Sequence, residues 1–338
     1  MLHSTLPKRL LSALGFIVAV AAIANHAASA QTLVVYNAQH ESLTQAWADA
    51  FTRDTGIKVA LRNGGDSELA NQIVLEGAAS PADVFLTENS PAMALVEGAG
   101  LFAPVAGATL EQVPPQFRPS SGKWVGIAAR ATVFVYRKGA FAADQLPLSL
   151  SDLAKAGWKG RWGASPAGAD FQAIVSAYLL LNGEAATLDW LKAMKSNSVA
   201  FRGNGNVMRA VNSGQVDAGV IYHYYPFVDQ AKTGDNSRNI SLHYFKHRDA
   251  GAFVSISGGG VLASSKNAEA AQSFLRWITG KAGQEILRTG DSFEYAVGVG
   301  AASHPNLTPL SELEPPIVDP TRLNSRKVVE LMTAAGLI

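Results

Sequence analysis

The chain contains no cysteine. That excludes a disulfide framework and thiolate metal ligands, so any metal must be held by oxygen and nitrogen. A basic block is also missing. The 28 Lys+Arg face 27 Asp+Glu for a net charge of +1, which makes nucleic acid a poor partner, since its binding rests on neutralising phosphates. Neither His-Glu-x-x-His nor Gly-x-Ser-x-Gly occurs, so the zinc-protease and nucleophile-elbow signatures are absent. There is no internal repeat and no low-complexity linker. The single long apolar run, Leu10 to Ala24, is shorter than the ~20 residues a bilayer span needs.

That run has the form of a secretory leader. Lys8 and Arg9 precede it, and Ala28-Ser29-Ala30 is a small-x-small cleavage site. Residues 1–30 are therefore expected to be a signal peptide, cut after Ala30. The leader carries two bases and no acid, which leaves a mature chain of net charge −1 with 26 basic and 27 acidic residues. About 300 mature residues bury enough surface without disulfides and suit two lobes. With no further apolar run, the mature chain is expected to be soluble and monomeric.

The apolar pattern then alternates between strand and helix. Thr32 to Tyr36 reads as a strand. Ser42 reads as an N-cap to a helix with Leu43, Ala46, Trp47, Ala50 and Phe51 on one face, closed by Gly56. Ile57 to Leu61 and Asp83 to Leu86 read as strands, and Leu69 to Leu75 and Pro91 to Val96 as helices. This order predicts a parallel sheet with helices on both faces. Val125 to Ala128 and Thr132 to Tyr136 are two strand-like runs. Helices follow over Phe171 to Leu181, Ala185 to Met194 and Asn206 to Asn212, with a strand at Ala218 to Tyr222. Two more strand runs, at Leu242 to Phe245 and Phe253 to Ile256, precede Gly258 to Gly260 and helices at Glu269 to Ile278 and Gln284 to Leu287. The expected organisation is a first lobe over 31–134 and 238–310, a second over 135–237, and a helical segment at 311–338 on the second lobe. Two such lobes joined by two extended crossings form a hinged clamp, and strand ends in open α/β sheets point at the ligand site.

Three strand ends carry polar side chains: His40 after the first strand, Glu88 after the Asp83 strand, and Tyr224 with Tyr225 after the Ala218 strand. Phenolate, carboxylate and imidazole together suit a hard, highly charged cation. Each also has an ordinary reading: His40 as a cap or surface residue, Glu88 as a solvated acid, the tyrosines as edge packing. His243 and His247 stand four apart in a strand-like stretch, where that spacing builds no common face. Ser165-Pro-Ala-Gly-Ala-Asp170 leads into a helix and offers backbone N–H groups to an anion, with Asn204 as a possible amide donor; a plain N-cap by Ser165 or Asp170 fits the same residues. Arg130 lies between two strands near the expected hinge, as a charge behind the site or an ordinary surface ion pair.

Four segments carry a resemblance. Val35-Tyr-Asn-Ala-Gln-His-Glu41, Ser80-Pro-Ala-Asp-Val-Phe-Leu-Thr-Glu88, Val220-Ile-Tyr-His-Tyr-Tyr225 and His247-Arg-Asp-Ala-Gly251 resemble the periplasmic ferric-ion-binding proteins of bacterial ABC iron importers, from about Thr32 to the C-terminus. The resemblance implies the α/β fold of a two-lobed type II periplasmic binding protein with two crossover strands at the hinge. It implies no enzyme activity and delivery of cargo to an inner-membrane ABC permease. It also implies Fe3+ held by His40, Glu88, Tyr224 and Tyr225, with a synergistic anion such as phosphate against Ala167, Gly168, Ala169 and Asn204. Three positions depart from the family pattern: Asn89 stands where Gln is found, Tyr222 where some members have an amide, and Ala167 where they have Ser. Each removes or shortens a possible anion contact, and Arg130, Asn89 and Tyr222 are expected behind the ligands.

Two other readings stand beside this one. The fold could carry a small organic anion such as a phosphonate, without metal. The other is an exported metal-dependent hydrolase using His40 and Glu88, for which the chain has neither the Gly-x-Ser-x-Gly elbow nor the His-Glu-x-x-His zinc motif.

Overall fold

The computed structural model describes residues 1–3 and 32–338; the rest of the expected leader and its cleavage site after Ala30 lie outside the described residues. The first elements are β1 (Thr32–Ala38), α1 (Glu41–Thr55), β2 (Lys58–Asn63), α2 (Asp66–Glu76), β3 (Val84–Thr87), α3 (Ser90–Gly98) and the single turn α4 (Gly107–Leu110). Strands β2, β1 and β3 lie parallel in that order. Helix α1 forms because Leu43, Trp47, Ala50 and Phe51 share one buried face, and it stops at Gly56, whose left-handed φ of 76° suits glycine. Its N-cap is His40, not the expected Ser42, and the His40 side chain makes no capping bond. That leaves the imidazole available for the cleft.

The two strand-like runs of the middle form one long strand, β4 (Val125–Arg137), with an irregularity between Gly126 and Ala128. Its first half pairs with β9 (Val254–Val261), and its second half pairs with β7 (Ala218–Tyr222). Beyond β4 the second lobe contains β5 (Trp162–Ala164), α5 (Ala169–Asn197), β6 (Ser198–Ala200), α6 (Asn204–Ser213), β7 and α7 (Tyr224–Lys232). Strands β7, β5 and β6 are parallel to one another. Gly183, at φ 81° and ψ 171°, breaks α5 between the two helices expected there.

Strand β8 (Ile240–His243) pairs with Phe134 to Arg137 of β4, the half that carries β7. The return crossing, expected from residue 238, is therefore made by β9. Gly258 to Gly260 lie inside β9. A Cβ on Gly258 would meet Met93 at 2.4 Å and one on Gly260 would meet Phe102 at 2.5 Å, so only glycine lets α3 and the following segment pack this closely. Helices α8 (Ala268–Thr279) and α9 (Lys281–Thr289) complete the first lobe. Helix α10 (Ser325–Ala334) packs mainly on α5 of the second lobe and also touches α3 of the first.

The result is two α/β lobes joined through β4 and β9. One buried apolar cluster holds Trp47, Phe51, Phe134, Trp162 and Phe171 and runs through both lobes; smaller ones lie around Met93 and Trp124 in the first and Val207 and Ile221 in the second. No described helix is long and apolar enough to cross a membrane.

Candidate metal centre

The carboxyl ends of β1 and β3 and the start of α7 open on one cleft of about 500 Å3. Its wall includes His40, Glu88, Asp170, Asn204 and Tyr225. His40 Nε2 lies 3.1 Å from Glu88 Oε1. The His40 ring meets Tyr224 edge-on with centroids 4.8 Å apart, and Tyr224 stacks on Tyr225 at 4.3 Å. All four residues expected at the site are thus brought together, two from each lobe. The tyrosines are not simply at a strand end. They open α7, with Pro226 in its first turn, where a missing N–H costs nothing.

Burial pushes the phenols of Tyr224 and Tyr225 above their ordinary range, and the Asp170 carboxylate adds to the effect on both. Burial also raises Glu88, opposed by the positive charges of Arg130 and His40. Burial pulls His40 down, but the hydrogen bond and charge of Glu294, together with Glu88, outweigh it and leave the imidazole raised.

Arg130 is fully buried, so of its two readings the surface ion pair fails. Its guanidinium sits 3.1 Å from Glu294 and 3.6 Å from Glu88, and its CZ lies 5.5 Å from the centre of the Tyr224 ring. A buried cation here favours ionised carboxylate and phenolate on both sides. Asn89 uses its amide fully. It donates to Asp66 and to Asp170, each at 2.9 Å, and accepts from the Tyr222 and Ser255 hydroxyls at 3.2 Å. The Asn89–Tyr222 hydrogen bond thus joins the lobes.

The expected anion pocket looks different. Ala167 is exposed and does not line the cleft, whereas Gly168 and Ala169 do. Asn204 points its amide at Asp170 Oδ2, 2.8 Å away, and its buried Oδ1 has no protein partner. Asp170 also accepts from the Tyr225 hydroxyl at 3.1 Å. A carboxylate therefore stands beside the tyrosines, held by Asn89, Asn204 and Tyr225. The histidine pair proposes nothing further: His243 contacts the Pro147 carbonyl and His247 sits in a turn beside Glu314.

Sequence reading missed three acids. Asp170 was weighed only as a cap. Its place two residues after a glycine, at a helix start facing the cleft, was the available signal. Asp66 caps the backbone of Glu88 and Asn89 from α2. Glu294 lies in the irregular segment after α9, where no periodicity or motif marked it. Among the described residues no cluster of three His, Asp and Glu converges to hold a metal by itself. Any metal here needs the phenols, which selects a hard ion able to displace their protons.

Residues 32–290 match the family of bacterial extracellular solute-binding proteins. The chain is 70% identical over 315 residues to the Fe(3+)-binding periplasmic protein of Serratia marcescens, covering 93% of each chain. It is 37% identical over 308 residues to the major ferric iron-binding protein of Neisseria meningitidis serogroup B, covering 90% of this chain and 93% of that one. Among solved structures, iron-bound HitA from Pseudomonas aeruginosa superposes with a TM-score of 0.85 at 39% identity, over 91% of this chain and all of the other.

Proposed function

The chain belongs to the bacterial extracellular solute-binding proteins, and from that membership and the cleft we propose that it captures ferric iron in the periplasm and delivers it to an ABC importer. It is a carrier and not an enzyme. In this reading His40 and Glu88 bind from the first lobe and Tyr224 and Tyr225 from the second, so that closure assembles the site and opening dismantles it. The observation that carries it is the contact between a stacked phenol pair and an imidazole–carboxylate pair across the cleft.

Charge argues for a cation over the organic-anion alternative. The cleft wall carries Glu41, Asp66, Glu88 and Asp170 against His40, with Arg130 behind it already paired to Glu294. An entering phosphonate would meet mostly like charge. The same argument bears on the synergistic anion. Two phenolates and Glu88 neutralise a ferric ion, and Asp170 beside Tyr225 supplies a further anionic oxygen. We propose that Asp170 takes the place the resemblance gave to phosphate. The leader is removed after Ala30 and the carrier works as a monomer.

The test is titration of metal-free mature protein with a ferric chelate, followed in the visible spectrum with and without phosphate. A phenolate-to-iron charge-transfer band saturating at one iron per chain, unchanged by phosphate, is expected. Tyr225→Phe should shrink the band and weaken binding at least about 1000-fold, roughly 4 kcal/mol, with the fold intact by circular dichroism. A flat spectrum from folded protein would put the organic-anion carrier first.

A further inference from the structure

We propose that Glu294 is a positioning residue for ferric capture: it fixes the proton of His40 on Nδ1 and aims Nε2 at the cargo. The inference rests on the ferric reading above.

Glu294 is fully buried and far in sequence from every motif of the site. Its Oε1 lies 2.9 Å from His40 Nδ1 and 3.1 Å from Arg130 Nη2. Its Oε2 accepts from Gln39 Nε2 at 3.1 Å and from the Ser257 hydroxyl at 3.2 Å. Both Glu294 oxygens are engaged as acceptors, from Arg130, Gln39 and Ser257, so Nδ1 carries the hydrogen it shares with Glu294, and Nε2, which faces Glu88 across the cleft, is the nitrogen left for the cargo.

The surroundings fix this geometry from several sides. Gln39 Oε1 accepts from the His40 backbone N–H at 2.6 Å and from Arg130 Nη2 at 2.8 Å, closing a ring of Gln39, His40, Glu294 and Arg130. On the Glu294 side, Phe293 sits at φ 52°, a left-handed conformation rare for a bulky residue, and its ring stacks on Phe227 of α7. Tyr295 pairs with Ala129 of β4 in both backbone directions. Strain at Phe293 held between two anchored neighbours is what turning the Glu294 side chain inward requires. A carboxylate behind a ligating imidazole commonly raises its basicity and fixes its orientation.

The experiment measures ferric affinity, by competition with a chelator, for wild type, Glu294→Gln, His40→Ala and the double variant. Glu294→Gln should weaken binding roughly 10- to 100-fold when His40 is present and by less than about twofold when it is not. The high-spin ferric resonance should change shape in Glu294→Gln, while the phenolate band persists. Glu294→Asp keeps the charge beside Arg130 but withdraws it from His40 by one methylene, and should show the same His40-dependent loss. Equal losses with and without His40, or no loss in either Glu294 variant, would overturn the inference while wild type still binds iron. A wild type that takes up no ferric ion would overturn the underlying reading as well.

Discussion

The two lobes hold their halves of the cleft in opposite ways. The first lobe presents His40 and Glu88 from strand ends inside an ionic network, with Arg130 and Glu294 buried behind them and Asp66 bonded to the Glu88 backbone. The second presents Tyr224 and Tyr225 from a helix start as neutral phenols, raised by burial, with Asp170 as the neighbouring charge. Rigid charge on one side and protonated donors on the other imply a division of labour. In the ferric reading proposed above, the first lobe would set geometry and the second would set the proton cost of binding.

The largest expected effect follows from that proton cost. Both phenols lie above the ordinary tyrosine value of ~10, so in the proposed site each would give up a proton to the ferric ion at any neutral pH. Two protons released make apparent affinity fall about 100-fold per pH unit, or about 10⁴-fold from pH 8 to pH 6. Burial has also raised Glu88, and Glu294 has raised His40, so those groups take up protons toward the acid end and steepen the fall. Chelator competition at defined free ferric concentration reads the slope. One proton or fewer would mean that a phenol is not a ligand, and the contrast between lobes would fail.

Asp170 tests the contrast from the other side, because it is the charge the second lobe has. Asp170→Asn keeps hydrogen bonding to Tyr225 but removes the anionic oxygen. Ferric affinity should drop roughly 10- to 100-fold, about 1.4–2.7 kcal/mol, and phosphate should now restore part of it. If wild type already needs phosphate and the variant behaves the same, the exogenous anion belongs to this site after all.

What was legible in the sequence divides along the same line. Strand ends were readable because apolar runs stop at them, and three of those ends carry His40, Glu88 and the tyrosines. The two-lobed fold followed from the alternation of periods. Glu294 was not readable, since its partners are brought to it by a crossing strand and a strained turn, and neither leaves a periodic trace. Arg130 was ambiguous for a related reason: a lone arginine between two apparent strands can be a hinge-surface charge until both runs prove to be one continuous buried strand. The β8 assignment failed because a short apolar run cannot say which half of a long neighbour it will pair with. Asp170 was visible but ambiguous, as a helix-start aspartate is a cap far more often than a ligand.

The smallest expected effect concerns the join between the lobes. Asn89 binds Asp66 in the first and Asp170 in the second with one amide nitrogen, and its oxygen accepts from Tyr222 and Ser255. Asn89→Ala would leave two hydroxyls without their acceptor and two carboxylates without their shared donor. Buried groups stripped of partners cost about 1–3 kcal/mol, so urea unfolding should show a loss of that order. Ferric affinity should fall less than tenfold, because the cargo's own ligands still reach across the cleft and the amide supplies none of them. X-ray scattering of the metal-free variant should show a larger radius of gyration than wild type, and the iron-loaded variant should match wild type. If Asn89→Ala instead weakened binding as much as Tyr225→Phe, the division between a geometry-setting lobe and a proton-paying lobe would not hold, and the join itself would have to be counted as part of the site.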